Sequence, residues 1–377
     1  MGRARTGRAV SGAGAASGAA GAGADNVAAA VSGAAGPGSA AAPDVLVTGG
    51  GGFLGGALVR HLLAAGHSVR SFARGAYPEL EALGVDVQRG DLTDAAAVRR
   101  ACAGCELVLH NAARAAVWGR YDAFHGPNVV GTRNVLDACR REGVRRLVFT
   151  STASVVFGRR DICGGDESLP YPRRQASPYA ATKAEAERLV LAADSAALRT
   201  VSLRPHLIWG PGDTQIVPRI IAQARAGKVL RVGDGTNVVD TTYIDNAADA
   251  HLCAAEALLV NPAASGRAYF VSNGEPARLW MLIDRILAAA GLPPVRRSVP
   301  APVAVALGAV VETAHEVLRR PGEPRLTRFL AEELSTSHWF DIGAARRELG
   351  YEPAVSLGEG LELLGEWLRA GSPPVAG

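Results

Sequence analysis

The chain has 377 residues, of which 48% are hydrophobic and 20% are charged, and its formal net charge is +4. This composition is ordinary for a globular enzyme, and the length suffices for one large core or two unequal ones. Lysine and arginine are not clustered with interleaved aromatic residues, which argues against a nucleic-acid-binding protein. The five cysteines are scattered along the chain, so we expect reduced thiols in a cytoplasmic protein.

One cysteine pair, Cys102 and Cys105, has CxxC spacing. A zinc site needs two more ligands at matching spacing, and no second pair follows. A redox motif needs a helix that starts after the first cysteine, whereas here a helical pattern ends. We therefore expect a chance pairing and no metal site.

Residues 1–42 consist mainly of alanine, glycine and serine. A segment so poor in large apolar side chains cannot offset its ordering entropy, so we expect it to be disordered. An organelle transit peptide and a misassigned start remain alternatives, since the arginines near the start have no acidic neighbours. No stretch reaches the length of a membrane span, and the apolar run at 300–311 predicts a buried or interfacial helix, with peripheral membrane contact as an alternative.

From Asp44 onward, short apolar runs alternate with helical patterns. This alternation predicts an α/β fold, a doubly wound parallel Rossmann sheet covered by helices on both faces. The predicted strands are 45–47, 68–73, 85–88, 107–110, 146–150 and 200–204, and the predicted helices include 129–141 and 179–192.

We expect residues 43–210 to form the nucleotide-binding domain, completed by about 237–260. Residues 211–236 and 261–377 then form a smaller substrate-binding lobe, which includes a strand at 269–271 and a helix at 280–290. A ligand should lie in the cleft between this lobe and the carboxyl edge of the sheet.

A glycine-rich segment, TGGGGFLG at residues 48–55, follows the first predicted strand and opens a helix. Glycines permit a tight turn and let backbone N–H groups approach a pyrophosphate, whose charge the helix N-terminus favours. A glycine-rich turn without a ligand is the alternative. The residues that we expect to bind a dinucleotide here are Gly49, Gly52, Phe53, Leu54 and Gly55.

The choice of cofactor is determined at the end of the second strand, where NAD enzymes usually carry an acidic residue. This chain has Arg74 there, and an arginine can pair with the 2′-phosphate of NADP(H). NADP(H) is therefore favoured and NAD(H) stays possible, because Arg74 is alternatively a solvated surface charge. Asp91 and Leu92 follow the third strand, where we expect contacts with the adenine; a turn aspartate is the alternative.

Tyr179 and Lys183 are four residues apart on a predicted helix and project from one face. An ammonium nearby, together with a positive nicotinamide ring, is expected to lower the pKa of the tyrosine and make it a proton-transfer group. The hydroxyl residues 150–152 follow a strand, and one of them should orient the substrate oxygen. Ser151 and Ser154 are alternatives to Thr152.

These motifs resemble those of the extended short-chain dehydrogenase/reductase family, in its 3β-hydroxysteroid dehydrogenase-like branch, from about Asp44 to Leu364. The resemblance implies catalytic Thr152, Tyr179 and Lys183, with Thr152 replacing the usual serine. It also implies a homodimer. We further expect Ala112 and Pro205 to contact the cofactor. The segments that carry the resemblance are TGGGGFLG, Gly90-Asp91-Leu92, HNAA at 110–113, NVVGT at 128–132, residues 150–158, YAATK at 179–183, Arg204-Pro205, GPGD at 210–213 and TTYIDN at 241–246.

Two subgroups of this branch match particularly well. The bacterial 2-alkyl-3-oxoalkanoate reductases of long-chain olefin biosynthesis resemble Trp118-Gly119, residues 204–213, Asp240–Tyr243 and Leu334–Tyr351. The decarboxylating sterol-4-alpha-carboxylate 3-dehydrogenases resemble residues 154–170 and the YxxxK helix. Both act on a β-hydroxy or β-keto acid, and the NADPH interpretation favours the reductase acting on a lipid-like substrate.

The substrate's carboxylate would meet Arg114 or Arg204, unless each arginine belongs to a structural ion pair. Two other classes of protein share the fold. A nucleotide-sugar epimerase or dehydratase also has the Tyr/Lys pair, but a dehydratase needs an acidic neighbour that Thr152-Ala153 does not supply. A non-catalytic NADP-sensing protein often lacks the tyrosine or the lysine, and this chain has both.

Overall fold

The computed structural model describes residues 43–116, 118–318, 322–324 and 326–371. The segment 1–42, which we predicted to be disordered, lies outside these residues. Within them, no helix is long and apolar enough to cross a membrane.

The first part of the chain alternates strands and helices, as its apolar pattern predicts. Local signals set several of the ends. The Asp94 carboxylate caps a helix by accepting from the amides of Ala96 and Ala97, and another helix ends at Gly143, whose φ is 74°. In chain order the elements are β1 (Val45–Thr48), α1 (Phe53–Ala64), β2 (Val69–Ala73), α2 (Pro78–Ala82), β3 (Asp86–Arg89), α3 (Ala95–Cys102), β4 (Leu107–His110), α4 (Tyr121–His125), a π-helical turn (Gly126–Val130), α5 (Gly131–Glu142) and β5 (Arg146–Thr150).

The second part has shorter strands and longer connections. Its elements are a 3-10 turn (Ala153–Val156), β6 (Ile162–Gly165), α6 (Pro178–Ala192), β7 (Arg199–Pro205), β8 (Ile208–Trp209), α7 (Ile216–Arg225), β9 (Arg231–Val232), β10 (Val238–Val239), β11 (Thr242–Tyr243), α8 (Ile244–Val260), a 3-10 turn (Pro262–Ala264), β12 (Arg267–Val271), β13 (Ala277–Arg278), α9 (Leu279–Ala289), β14 (Ser298–Val299), α10 (Ala301–Val317), α11 (Arg328–Glu333), β15 (His338–Phe340), a π-helical turn (Ala345–Leu349) and α12 (Leu357–Arg369).

Seven strands form one parallel sheet in the order β12-β7-β5-β4-β1-β2-β3. The chain order reverses at β1, which pairs with β2 on one side and β4 on the other, and ligands bind at such a switch point outside the carboxyl ends of the strands. Thr48, His110, Thr150 and Pro205 end their strands at this edge.

Helices cover both faces of the sheet. On one face, α1 and α8 contribute Leu58, Leu62 and Ala254 to a core with the sheet. On the other, α3, α5 and α6 contribute residues such as Val98 and Val135. This arrangement confirms the predicted doubly wound Rossmann sheet.

One strand lies elsewhere than predicted. The sequence assigned residues 269–271 to the smaller lobe, but β12 pairs with β7 and forms an edge of the large sheet. The reason is that α8 packs along the sheet as a crossover helix and returns the chain to it, a connection that parallel neighbours require. The division of the chain into a nucleotide-binding domain and a substrate-binding lobe stays a prediction.

The remaining strands form small sheets, the largest of which has the order β13-β10-β15-β6. Beside it, α10 and α11 pack tightly: a Cβ on Gly308 would lie 2.8 Å from the amide nitrogen of Arg328. The Glu312 carboxylate accepts from the same amide at 2.8 Å and from Arg328 Nε at 2.6 Å. Because α10 is held against the start of α11, the position of Glu333 at the end of α11 is also constrained.

Candidate active site

The glycine loop between β1 and α1 tolerates no side chain at its key positions. Gly49 has a φ of 74°, and a Cβ on Gly55 would lie 1.9 Å from the carbonyl oxygen of Gly49. The N-cap of α1 is Gly52, which supplies no side-chain hydrogen bond, so the first N–H groups of the helix stay available to an anion. These residues fit the pyrophosphate of a dinucleotide.

A buried chain of hydrogen bonds holds the end of β1, where this loop begins. Thr48 Oγ1 accepts from the amide of Ala112 at 3.0 Å and donates to His110 Nδ1 at 2.8 Å. His110 Nε2 then donates to Thr132 Oγ1 at 3.0 Å, since Thr132 uses its own hydrogen on the carbonyl of Asn128. Burial lowers the pKa of His110 to about 3, so the imidazole is neutral, as this chain requires. Ala112, predicted to contact the cofactor, thus lies directly against Gly49.

The other predicted cofactor residues follow β2, β3 and β7. Arg74 is exposed at the end of β2. The pKa of the Asp91 carboxyl is lowered mainly by the hydrogen bonds that it accepts from the Thr93 amide and hydroxyl, and the charge of the nearby Arg74 lowers it further. Leu92 is buried and packs against Gly131, where a Cβ would lie 2.7 Å from Leu92 Cβ. Pro205 ends β7 at the same edge of the sheet.

Phe53 and Leu54 open α1, where Leu54 is buried and Phe53 is partly exposed. Tyr77 is a residue of this region that the sequence analysis missed. Its ring lies so close to Gly51 that a Cβ there would be 2.1 Å from it. The sequence offered no signal for this contact, because Tyr77 lies beyond β2 and outside the glycine motif.

Tyr179 and Lys183 lie on the first turns of α6, which starts after Ser177; the Ser177 hydroxyl accepts from the amide of Ala180 at 3.2 Å. Lys183 is buried and donates from Nζ to the carbonyl of Thr150 at 2.5 Å, with Nζ 4.1 Å from the centroid of the Phe149 ring. Burial lowers the pKa of Lys183 to about 7. The Thr150 hydroxyl is held in turn by His251, at 2.8 Å.

Thr152 meets Tyr179, as the resemblance implied. Its hydroxyl oxygen accepts from the amide of Ser154 at 3.2 Å, so its hydrogen is available to the phenol oxygen of Tyr179. Of the alternatives, Ser151 is buried with no hydrogen-bond partner among the described residues, and Ser154 lines the adjacent cavity. The structure therefore brings Thr152, Tyr179 and Lys183 together.

The pKa of Tyr179 differs from the sequence-based expectation. Burial raises it to about 12 in the polypeptide itself; the Thr152 hydrogen bond lowers it, and the Glu333 carboxylate raises it further. Lys183 does not lower it here, because an amine with a pKa of about 7 is uncharged at the pH at which this phenol ionises, and its Nζ is directed to the Thr150 carbonyl.

Asn128 is a second residue that the sequence analysis did not single out, although it begins the NVVGT motif. It lies in the π-helical turn before α5, and its amide donates to Thr182 Oγ1 at 3.0 Å and to the Arg114 carbonyl at 3.2 Å. Its Oδ1 accepts from the Arg114 amide at 2.7 Å. Asn128 therefore ties the segment after β4 to α6, the helix that carries Tyr179 and Lys183.

The two arginines considered for a substrate carboxylate have different surroundings. Arg204 is buried and donates to the Glu187 carboxylate from Nη2 at 2.7 Å and from Nε at 3.1 Å, so it forms a structural ion pair. Arg114 is exposed, and its guanidinium carbon lies 5.4 Å from the centroid of the Phe124 ring. Within the described part of the chain, Arg114 has no carboxylate within 4 Å, and it remains available to a ligand.

A small cavity lies between the turn that follows Thr152 and the C-terminal elements α11 and β15. Its walls are partly apolar, and they carry one carboxyl group and two imidazoles. The lining residues are Ala153, Ser154, Phe157, His206, Glu333, His338 and Phe340.

By contrast, Cys102 and Cys105 are buried free thiols at the end of α3, apart from these groups.

Comparisons with known proteins agree with this geometry. The model of the 3-beta hydroxysteroid dehydrogenase/isomerase family matches residues 46–301. The 2-alkyl-3-oxoalkanoate reductase of Stenotrophomonas maltophilia is 53% identical over 322 residues, which cover 85% of this chain and 98% of that protein. The decarboxylating sterol-4-alpha-carboxylate 3-dehydrogenase of Mus musculus is 33% identical over 321 residues, covering 84% of this chain and 88% of that one.

A similar solved structure is MoeE5 in complex with UDP-glucuronic acid and NAD. It superposes with a TM-score of 0.67 at 28% sequence identity, over 87% of this chain and 99% of that chain. The shared fold thus accommodates a nicotinamide dinucleotide in that protein.

Proposed function

The chain belongs to the 3-beta hydroxysteroid dehydrogenase/isomerase family, and we propose that it is an NADP(H)-dependent oxidoreductase that reduces the 3-oxo group of a 2-alkyl-3-oxoalkanoate. The observation that carries the chemistry is the placement of Tyr179 and Lys183 one helical turn apart on α6, with the Thr152 hydroxyl close enough to the phenol to lower its pKa, at the same edge of the sheet as the glycine loop. The similarity to the Stenotrophomonas reductase supports the choice of substrate.

Each of the three residues has a distinct task in this proposal. When bound, the reduced nicotinamide supplies a hydride to the carbonyl carbon. Tyr179 donates its proton to the oxygen, and Thr152 holds that oxygen by a hydrogen bond. Lys183, with its pKa lowered to about 7, is close to its titration point at neutral pH, and it holds the nicotinamide ribose hydroxyls.

The preference for NADP(H) rests on Arg74. The side chain is exposed at the end of β2 and close to Asp91, and β2 has no acidic residue at its end to repel a 2′-phosphate. A guanidinium can bind that phosphate through two parallel hydrogen bonds. NAD(H) remains an alternative cofactor.

The carboxylate of the β-keto acid is assigned to Arg114. Arg204, the other candidate, is already paired with Glu187 and cannot turn toward a substrate without leaving that carboxylate buried and unpaired. Reduction of the ketone also protects the substrate, since a β-keto acid loses carbon dioxide readily and a β-hydroxy acid does not.

The test is to mix purified protein with NADPH and a 2-alkyl-3-oxo fatty acid and to follow the loss of NADPH absorbance, then to repeat the assay with NADH. Rapid oxidation of NADPH, and slower oxidation of NADH, supports both the substrate and the Arg74 interpretation. Equal rates with the two cofactors contradict the cofactor preference alone.

A second candidate is a 3β-hydroxysteroid or sterol-4-carboxylate 3-dehydrogenase, which the similarity to the mouse enzyme favours. No turnover of the oxoalkanoate, combined with NAD(P)+-dependent oxidation of a sterol 4-carboxylate, would move the protein to that activity with the same Tyr179 and Lys183. Binding of a UDP-sugar without alcohol or ketone turnover would instead indicate an epimerase.

We also expect this protein to form a homodimer and to be cytoplasmic. The outer side of α10 exposes apolar side chains, which favours peripheral membrane contact as an addition to this picture. These side chains are Val303, Leu307, Val310 and Val317, followed by Leu318 just beyond the helix.

A further inference from the structure

A carboxyl group from the C-terminal part of the chain lies near Tyr179, close enough for its charge to act on the phenol. Glu333 ends α11, and its partly buried side chain lines the small cavity together with Ser154 and Phe157. This cavity also has Ala153 in its wall, the residue directly after Thr152. Among the residues that the structure describes, none donates a hydrogen bond to the Glu333 carboxylate, so its charge is not neutralised locally.

A buried chain of hydrogen bonds fixes the backbone of Glu333. His338 Nε2 donates to the Glu333 carbonyl at 2.9 Å, so His338 Nδ1 accepts from His206 Nε2 at 3.1 Å. The other nitrogen of His206 lies 2.6 Å from Asp240 Oδ1, and Asp240 Oδ2 accepts from the amide of Phe340 at 3.1 Å. The buried His206 and Asp240 side chains are therefore paired with each other.

The other charged groups around Tyr179 are paired or turned away. Lys183 donates to the Thr150 carbonyl, and Glu332 is paired with Arg159, whose Nε lies 3.4 Å from Glu332 Oε2. His338 is neutral, because burial lowers its pKa to about 4. The titratable and charged groups near Tyr179 and Glu333 are Lys183 and Glu187 on α6, His206 after β7, Asp240 after β10, Glu332 on α11 and His338 on β15.

The ionisation of Glu333 is coupled to that of Tyr179. Burial raises the pKa of Glu333 to about 8, and the neighbouring Glu332 charge adds to this. As the pH rises, Glu333 therefore loses its proton before Tyr179 does. The resulting negative charge then opposes the formation of a second one on the phenol, which is the direction found for the pKa of Tyr179.

We propose that Glu333 is a positioning residue that keeps Tyr179 in its proton-donating form and so extends the reduction toward alkaline pH. The proposal rests on the proposed function in one respect, that Tyr179 is the proton donor. Glu333 acts through Tyr179, and the His338–His206–Asp240 chain holds it in place to do so.

The test compares pH profiles of kcat/KM for the protein and for Glu333→Gln, which keeps the shape and removes the charge. In the variant we expect the alkaline decline of ketone reduction to begin on the order of one pH unit lower. Oxidation of the 3-hydroxy product near pH 9 should rise on the order of tenfold, since one pH unit is a tenfold change in the phenolate fraction. Glu333→Asp should restore most of the original profile.

The matched control is Glu362→Gln, which removes the same charge from an exposed glutamate on α12 that does not line the cavity. Its profile should stay close to that of the unmodified protein. A profile of Glu333→Gln that overlays the original, or a loss of rate that is equal at every pH, would overturn the proposal, since both outcomes indicate a purely structural residue.

A second measurement needs no substrate and separates this proposal from the proposed function. Phenolate absorbance near 295 nm is titrated in the protein and in Glu333→Gln, and the signal of Tyr179 is isolated by subtracting the titration of the corresponding Tyr179→Phe protein. An earlier Tyr179 transition in Glu333→Gln supports the proposal even if no oxoalkanoate is reduced. An unchanged transition overturns it even if the oxoalkanoate is a good substrate.

Discussion

Two glutamates lie near the Tyr179–Lys183 pair, and their surroundings differ. Glu187, one helical turn beyond Lys183, accepts hydrogen bonds from Tyr171 at 2.5 Å, from Ser202 at 2.9 Å and from Arg204 at 2.7 Å. Burial alone would raise the pKa of Glu187, but the Arg204 charge and these hydrogen bonds outweigh it and hold the pKa below its ordinary value. Glu333 has no such donors among the described residues, and burial raises its pKa to about 8.

The difference shows how one residue type serves two purposes. A buried carboxylate whose lone pairs are all satisfied is a structural tie between α6 and β7, and its charge is cancelled where it stands. A partly buried carboxyl group without such donors, as at Glu333, ties no elements together, but its proton equilibrium responds to a neighbouring reaction. The variants below separate these two roles.

The largest effect is expected for the substitution of Tyr179. Tyr179→Phe removes the proton donor, so reduction should fall by about 10²- to 10⁴-fold, while the dissociation constant for NADPH should change little. Steady-state rates and fluorescence titration of NADPH measure the two quantities. Tyr121→Phe, which removes an exposed hydroxyl that donates to Glu185, is the control and should keep full activity. Undiminished turnover in Tyr179→Phe contradicts the mechanism.

Removal of the Glu187 charge should mainly reduce stability. Glu187→Gln leaves the Arg204 guanidinium buried without its counter-charge, so the free energy of unfolding should fall by about 3–5 kcal/mol in urea titrations. Glu333→Gln should cause no comparable loss. Because the folded pKa of Glu333 is raised from 4.5 to about 8, the unmodified protein loses stability as the pH rises through that range. The free energy of unfolding of Glu333→Gln should therefore increase relative to that of the unmodified protein between these pH values. Similar losses for both variants would remove the distinction between the two sites.

A smaller effect is expected far from both glutamates, at the cofactor's 2′-phosphate. Arg74→Ala should raise the dissociation constant for NADPH roughly 10- to 100-fold and leave that for NADH nearly unchanged, because only NADPH carries the phosphate that the guanidinium pairs with. Arg99→Ala, which removes an exposed arginine paired with Glu142, is the control. Equal weakening of both cofactors would show that Arg74 does not determine the preference.

The smallest effect is expected for a charge pair that is partly open to solvent. His61 on α1 lies 3.1 Å from Asp245 and 2.9 Å from Asp249 on α8, and these hydrogen bonds raise its pKa to about 9. A raised histidine pKa stabilises the fold fully below pH 6.5, and this contribution is lost as the pH rises through 9. His61→Gln should therefore cost less than about 1 kcal/mol at pH 6, and the difference should shrink toward pH 10. A gap that widens with pH would contradict this assignment.

Predictions from the sequence succeeded where a residue and its partners belong to one short motif. The parallel sheet followed from the alternation of apolar runs and helical patterns between Val45 and Arg204. The glycine loop followed from spacing within eight residues, and the meeting of Tyr179 with Thr152 followed from the family resemblance. They failed for β12, because the pairing of β12 with β7 joins residues more than sixty positions apart and leaves no local signature.

The pKa of Tyr179 is the clearest case of a property outside the reach of the sequence. The spacing of Tyr179 and Lys183 suggested a lowered pKa, but the direction depends on where the ammonium points and how deeply the phenol is enclosed. Burial and the Glu333 charge together decide it, and Glu333 is more than 150 positions away in the chain.

The amino-acid sequence by itself determined the fold class, the loop that fits a dinucleotide and the placement of Tyr179 and Lys183 on one face of a helix, since each depends on periodicity or spacing over a few residues. Only the tertiary structure decided which buried charges are cancelled: it paired Arg204 with Glu187, left Arg114 available, and brought Glu333 and the His338–His206–Asp240 chain to the catalytic pocket. The physical reason is that ionisation energies depend on distance and burial, and both are set by contacts between segments that the sequence does not place next to each other.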